Sequence, residues 1–75
     1  MGGNIPAIKP AKLLKFLKQN GMYIHHQVGS HLVLKHKSID EIRVTLPLHT
    51  KDLKRKTLLS ILKQARLTVD DIKKK

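Results

Sequence analysis

Gly29-Ser30-His31-Leu32-Val33-Leu34-Lys35 is the stretch on which the fold turns. Glycine adopts positive φ without the steric penalty that other residues meet, so Gly29 reads as the pivot of a tight turn. Ser30 can hydrogen-bond back to the turn backbone. His31 then opens a strand over residues 31–37. Side chains alternate across a strand, so His31, Val33 and Lys35 share one face and Leu32 and Leu34 the other. The leucines read as the inward pair. On the outward side, an imidazole stands at the rim with a lysine on the same face. Imidazole has the ordinary pKa nearest neutrality, which makes His31 a candidate acid/base group. The plain alternative is a solvated rim histidine.

Two further strands flank this one. In Met22-Tyr23-Ile24-His25-His26-Gln27, Met22 and Ile24 read as inward and Tyr23, His25 and Gln27 as outward. Residues 41–46 alternate cleanly, with Ile42, Val44 and Leu46 inward and Arg43 and Thr45 outward. Short polar connections between the three strands predict an antiparallel meander. Pro47 cannot donate to a ladder and ends the sheet.

Helices lie on either side in the chain. Pro10 suits a first helical turn, Leu13, Leu14, Phe16 and Leu17 form an apolar stripe, and Asn20-Gly21 supplies the stop. The first helix is therefore placed at 10–20. After a basic connector (48–56), Thr57 is placed as N-cap of a helix over 57–66, marked by Leu58, Ile61, Leu62 and Ala65. Thr68-Val69-Asp70-Asp71 resembles a capping box with Asp in place of Glu, so a short third helix through Ile72 is expected. Residues 1–8 read as a flexible lead, 9–72 as one domain and 73–75 as a basic tail. The order α-β-β-β-α, with one apolar face per element, predicts a two-layer α+β fold. Two helices should cover one face of a three-stranded antiparallel sheet.

Charge is the strongest global signal. Sixteen Lys and Arg against five Asp and Glu give a net charge of +11 in 75 residues. A field of this size favours polyanionic partners, nucleic acid first and an acidic protein surface second. Phe16 and Tyr23 are the only aromatics, so contact with the nucleic-acid backbone is favoured over base stacking. With no cysteine there is neither disulfide nor thiolate chemistry, which fits a reducing, cytoplasmic setting. No apolar run approaches a membrane span or a signal-peptide core. Pro6 stands where a myristoylation signal needs Ser or Thr. Five histidines raise the question of metal. His25 and His26 are neighbours on a strand and should face opposite ways, as should His31 and His36, and no carboxylate cluster completes a site. No metal or other cofactor is expected.

Several motifs stand together along the chain. They are Leu13-Leu14-x-x-Leu17 with Asn20-Gly21, then Gly29-Ser30-His31, then Val44-x-x-Pro47-x-His49. Last comes Lys51-x-Leu53-Lys54-x-x-Thr57-Leu58-x-x-Ile61-Leu62-Lys63-Gln64-Ala65-x-Leu67. Over residues 10–72 this set resembles the HicA-like toxins, small mRNA interferases of toxin–antitoxin pairs. The family's usual glycines before the Thr-Leu helix and before the last leucine are replaced by Lys56 and Arg66. The resemblance implies a fold like that of double-stranded-RNA-binding domains and a catalytic histidine at His31. It also implies a HicB-like antitoxin partner that covers the active face.

Metal-free RNA cleavage needs a base for the 2′-hydroxyl, positive charge for the phosphorane and help for the leaving 5′-oxygen. His31 is the expected base or acid, with Lys35 as charge stabiliser and Gly29 and Ser30 as supporting residues. Lys51, Lys54, Arg55, Lys56 and Lys63 are expected to track RNA phosphates. His49 either organises the connector or acts in the chemistry. The toxin alone is expected to be a monomer. The rival readings are a non-catalytic double-stranded-RNA-binding module and a basic adaptor for an acidic protein.

Overall fold

The computed structural model describes residues 7–73. Helix α1 (Pro10–Gln19) starts at the proline, whose missing N–H is one of the donors a first turn leaves unpaired anyway. It ends as expected. The Asn20 amide donates to the Phe16 carbonyl at 2.9 Å, and Gly21 follows at φ +90°. The chain continues through β1 (Met22–Val28), β2 (His31–His36), β3 (Arg43–Pro47), α2 (Arg55–Gln64) and the short α3 (Val69–Lys73). The strands form one antiparallel sheet in the order β1-β2-β3.

One core holds both layers. Leu13, Phe16 and Leu17 from α1 and Leu58, Ile61 and Leu62 from α2 meet Leu32, Leu34, Val44 and Leu46 of the sheet. Both helices therefore lie on the same sheet face, and the architecture is the α+β layout the pattern predicts. Parity on β2 locks it. A one-residue slip would turn Leu32 and Leu34 out to water, at about 1.5–3 kcal/mol for each buried leucine side chain.

Four local readings need correction. First, β1 has no continuous buried face. Only Met22 is buried, and Ile24, expected inward, is 39% exposed. β1 is an edge strand, and the helices cover only its Met22 end. Second, the lead does not run to residue 8. Residues 1–6 lie outside the described part, but Ile8 is buried and its carbonyl accepts from the Leu53 N–H at 2.8 Å. Of the basic tail expected at 73–75, Lys73 closes the third helix and residues 74–75 lie outside the described residues. Third, the β2–β3 connection, expected to be polar, carries Ile39 half-buried against the core. There the His36 Nδ1 accepts the Ser38 and Ile39 N–H groups at 3.0 and 3.1 Å. That acceptor role fixes the ring's proton on Nε2.

Fourth, α2 begins and ends two residues earlier than the pattern suggests. Lys54 is its N-cap, without a side-chain hydrogen bond, and Thr57 lies inside the helix. Leu53 anchors the approach in the core, so tertiary burial overrides the threonine's capping preference. The third helix keeps its predicted box. Thr68 N–H donates to Asp71 Oδ2 at 2.8 Å, and Asp71 N–H returns a bond to Thr68 Oγ1 at 3.3 Å.

The C-terminus of α2 puts Arg66 in a conformation that favours glycine. Leu67 N–H donates to the Leu62 carbonyl at 2.8 Å and Arg66 N–H to that of Lys63 at 3.1 Å. This is a Schellman motif, and its left-handed residue is Arg66, at φ +59°. A side chain in that region is strained by about 1–2 kcal/mol, while glycine's extra unfolded-state freedom offsets about half of that. Arg66→Gly is therefore expected to raise folding stability by up to about 1 kcal/mol, read as a higher urea midpoint at unchanged slope.

Candidate active site at the hairpin rim

The β1–β2 hairpin closes through Gly29-Ser30. Gly29 takes φ +57°, and Ser30 does not have positive φ. That is the sign pattern of a type II′ turn, whose twist matches the flanking strands. A Cβ on Gly29 would meet nothing within 4 Å, so backbone conformation and not space selects glycine here. The Gln27 amide braces the turn by donating to the Gly29 carbonyl at 2.9 Å. His31 leaves the turn as the first residue of β2 and is exposed.

Cross-strand pairing sets its neighbours. His31 lies between Val28 on β1 and Pro47 on β3. The next outward row is His26, Val33 and Thr45, and the last is Tyr23, Lys35 and Arg43. Val33, in the middle, is only 5% exposed although it faces away from the helices. The outer face is thus a shallow platform with an apolar centre, an imidazole at one end and cations at the other. Lys35 shares the face with His31 as expected, but four residues along a strand separate them by about 13 Å. The structure pairs Lys35 with Arg43, not with the histidine.

A bulge re-aims β1. Its register shifts between Ile24 and His26, which sends His26 and Val28 to the outer face and Gln27 to the other. The outward assignment of Gln27 is thereby corrected. So is the expectation that His25 and His26 point apart, because their Nδ1 atoms lie 2.8 Å from each other. Strict alternation cannot survive an extra residue in one strand. The sequence carries one trace of it, since unbroken alternation from Met22 would turn the His26 imidazole inward. Among the described residues no group of three or more His, Asp or Glu side chains is placed to hold a metal.

The connector is tied to the turn. Leu48 N–H donates to the Ser30 carbonyl at 2.7 Å. Leu48 packs on the core, while His49 is exposed. A recess of about 370 Å³ opens beside Pro47, lined by His49, Lys51, Asp52, Lys54 and Thr57. The first turn of α2 stands next to it with no acidic residue and no side-chain cap. Its free N–H groups and positive dipole end add to the field of Lys51 and Lys54. Of the other basic candidates, Arg55 lies exposed in that first turn and Lys56 lines a neighbouring groove between α2 and β3. Lys63 sits in the last turn of α2, away from the recess.

The family profile of the HicA toxin of bacterial toxin–antitoxin systems matches residues 10–67. The chain belongs to the HicA toxin family. The match runs from the first residue of α1 to the Leu67 that closes α2, so all three strands and the hairpin rim lie inside it. No curated protein matches the chain. As a HicA toxin it is one half of a toxin–antitoxin pair, and the family is generally one of mRNA interferases. Membership also implies a cognate antitoxin.

The geometry of the turn gives a direct check. Asparagine tolerates positive φ better than other side chains, and β-branched residues tolerate it worst. Gly29→Val is expected to lower stability by about 1–2 kcal/mol more than Gly29→Asn, measured by thermal unfolding.

Proposed function

We propose that this HicA toxin is a metal-independent endoribonuclease that cleaves mRNA with His31 as its acid/base group. The observation that carries the reading is the placement of that imidazole. It is exposed at the rim of a sheet whose other face, along β2 and β3, is packed against the core. An incoming ribose can reach the ring without any rearrangement of the fold. Lys51 and Lys54 in the adjoining recess, with Arg55 and Lys56 at the start of α2, hold the RNA backbone. Lys35 and Arg43 contact phosphates farther along the platform. Tyr23 and His25, with ring centres 6.4 Å apart, offer ring faces to unpaired bases at its edge.

The partner is a HicB-like antitoxin that buries the His31 rim through an acidic surface, and the site of action is the cytoplasm. The toxin alone is monomeric. No helix among the described residues is long and apolar enough to cross a membrane.

General acid/base help is worth about 10²–10⁴-fold, so His31→Ala should slow RNA cleavage by that factor while RNA affinity changes little. Induced expression of both forms, scored for growth arrest and mRNA integrity, checks the same claim in cells. Equal turnover in the two forms would remove His31 from the mechanism. RNA binding without cleavage by the wild type would leave a non-catalytic RNA-binding module.

The recess makes a separate claim about binding. The log of affinity for single-stranded RNA should fall linearly with log salt, by about 0.7 for each phosphate neutralised. Replacing Lys51 and Lys54 by Ala should flatten the slope by about that amount per lost contact, as read by fluorescence anisotropy.

A further inference from the structure

We infer that His49 is the second proton-transfer group of this toxin, the general acid that protonates the departing 5′-oxygen. This rests on the ribonuclease reading of His31 given above. In an in-line displacement the attacking and leaving oxygens lie on opposite sides of the phosphorus. One imidazole cannot touch both in a single step, so a second group is needed on the far side.

The backbone puts His49 there. β2 and β3 pair His31 with Pro47, and the Leu48–Ser30 hydrogen bond carries that register one residue past the end of β3. Leu48 packs on the core and His49, the next residue, is exposed, two residues past the Pro47 that pairs with His31. Two residues of chain span at most about 7 Å, so His49 stays close to the strand position opposite His31, within reach of two rings flanking one phosphate. The recess around His49 adds Lys51 and Lys54 to hold the departing strand and Asp52 as counter-charge to an imidazolium. The other histidines are placed less well. His36 lies on the inner side with its Nδ1 occupied by two backbone N–H groups. His26 is the diagonal neighbour on β1, but its Nδ1 is engaged with His25 and it does not line the cationic recess.

The step balances as follows. His31 takes the proton of the 2′-hydroxyl as the bond from the 2′-oxygen to phosphorus forms. The bond from phosphorus to the 5′-oxygen breaks, and the leaving oxygen takes the proton of the His49 imidazolium. The products are a 2′,3′-cyclic phosphate and a free 5′-hydroxyl. His31 is left protonated and His49 neutral, and exchange with water restores both.

The test uses the purified toxin with two RNAs of one sequence. In the second RNA, sulfur replaces the bridging 5′-oxygen at the mapped cleavage position. A thiolate leaves without protonation, so it bypasses a general acid but not a general base. His49→Gln should cleave the oxygen RNA about 10²–10⁴-fold more slowly than wild type and recover on the sulfur RNA. It should also lose one limb of the rate–pH profile at an unchanged melting temperature. His31→Ala should stay slow on both substrates, and His26→Gln should match wild type on both. Equal loss on the two RNAs for His49→Gln, no loss on either, or sulfur rescue of His26→Gln instead would overturn the assignment. Wild-type toxin inert on both RNAs would sink the ribonuclease reading itself, and this assignment with it.

Discussion

β2 is the strand that has partners on both edges, and its pleat forces a choice that the rest of the molecule obeys. Leu32 and Leu34 must be dry, and two helices are laid over them. The residues between them are then driven to the other side whatever their chemistry. Val33 shows how strict this is. It is nearly fully covered on a face that no helix reaches, because a central position is shielded by the rows on either side. His31 has the same parity at the strand's end, where no such shielding exists. An exposed imidazole on a rigid strand follows directly from the burial of its neighbours.

What makes the exposed histidine a candidate site is the fixation of the chain around it. The Leu48–Ser30 hydrogen bond closes the gap between the hairpin turn and the connector, and Leu48 anchors that junction in the core. The basic residues that follow therefore start from a fixed point of the fold. They are fed into a recess beside Pro47, at the end of the sheet where His31 stands, and into the uncapped start of α2. With a net charge of +11, repulsion among cations would otherwise splay such a segment apart. Core contacts from Leu48 and Leu53 hold it in place, and a polyanion would relieve the remaining repulsion.

The two positions where the resemblance implies glycine lie at the ends of α2. Arg66 holds the left-handed position of a helix end whose hydrogen bonds are complete. Lys56, in the first turn of α2, lines the neighbouring groove between α2 and β3. Neither touches the hairpin rim. The local strain at Arg66 is balanced by Leu67, which packs on the core as the closing contact of the motif.

Periodicity was enough for the element order, the two layers and the inward residues of β2 and β3, because each depends on the spacing of apolar residues along one segment. The Gly-Ser-His turn and the Thr-x-x-Asp box were legible for the same reason, since their chemistry is local. The bulge in β1, the exposure of Ile24 and the early start of α2 were not. Each is settled by which neighbour arrives to cover a segment, and no single segment encodes that. The candidate site divides along the same line. Sequence marks His31 as the rim imidazole, but only the pairing of β2 with β3, carried on by the Leu48–Ser30 bond, brings the cations at 51 and 54 to its end of the sheet and leaves Lys35 at the other. Distance along a strand grows by a fixed rise with each residue, whereas distance across a sheet is fixed by hydrogen bonding between chain segments far apart in sequence.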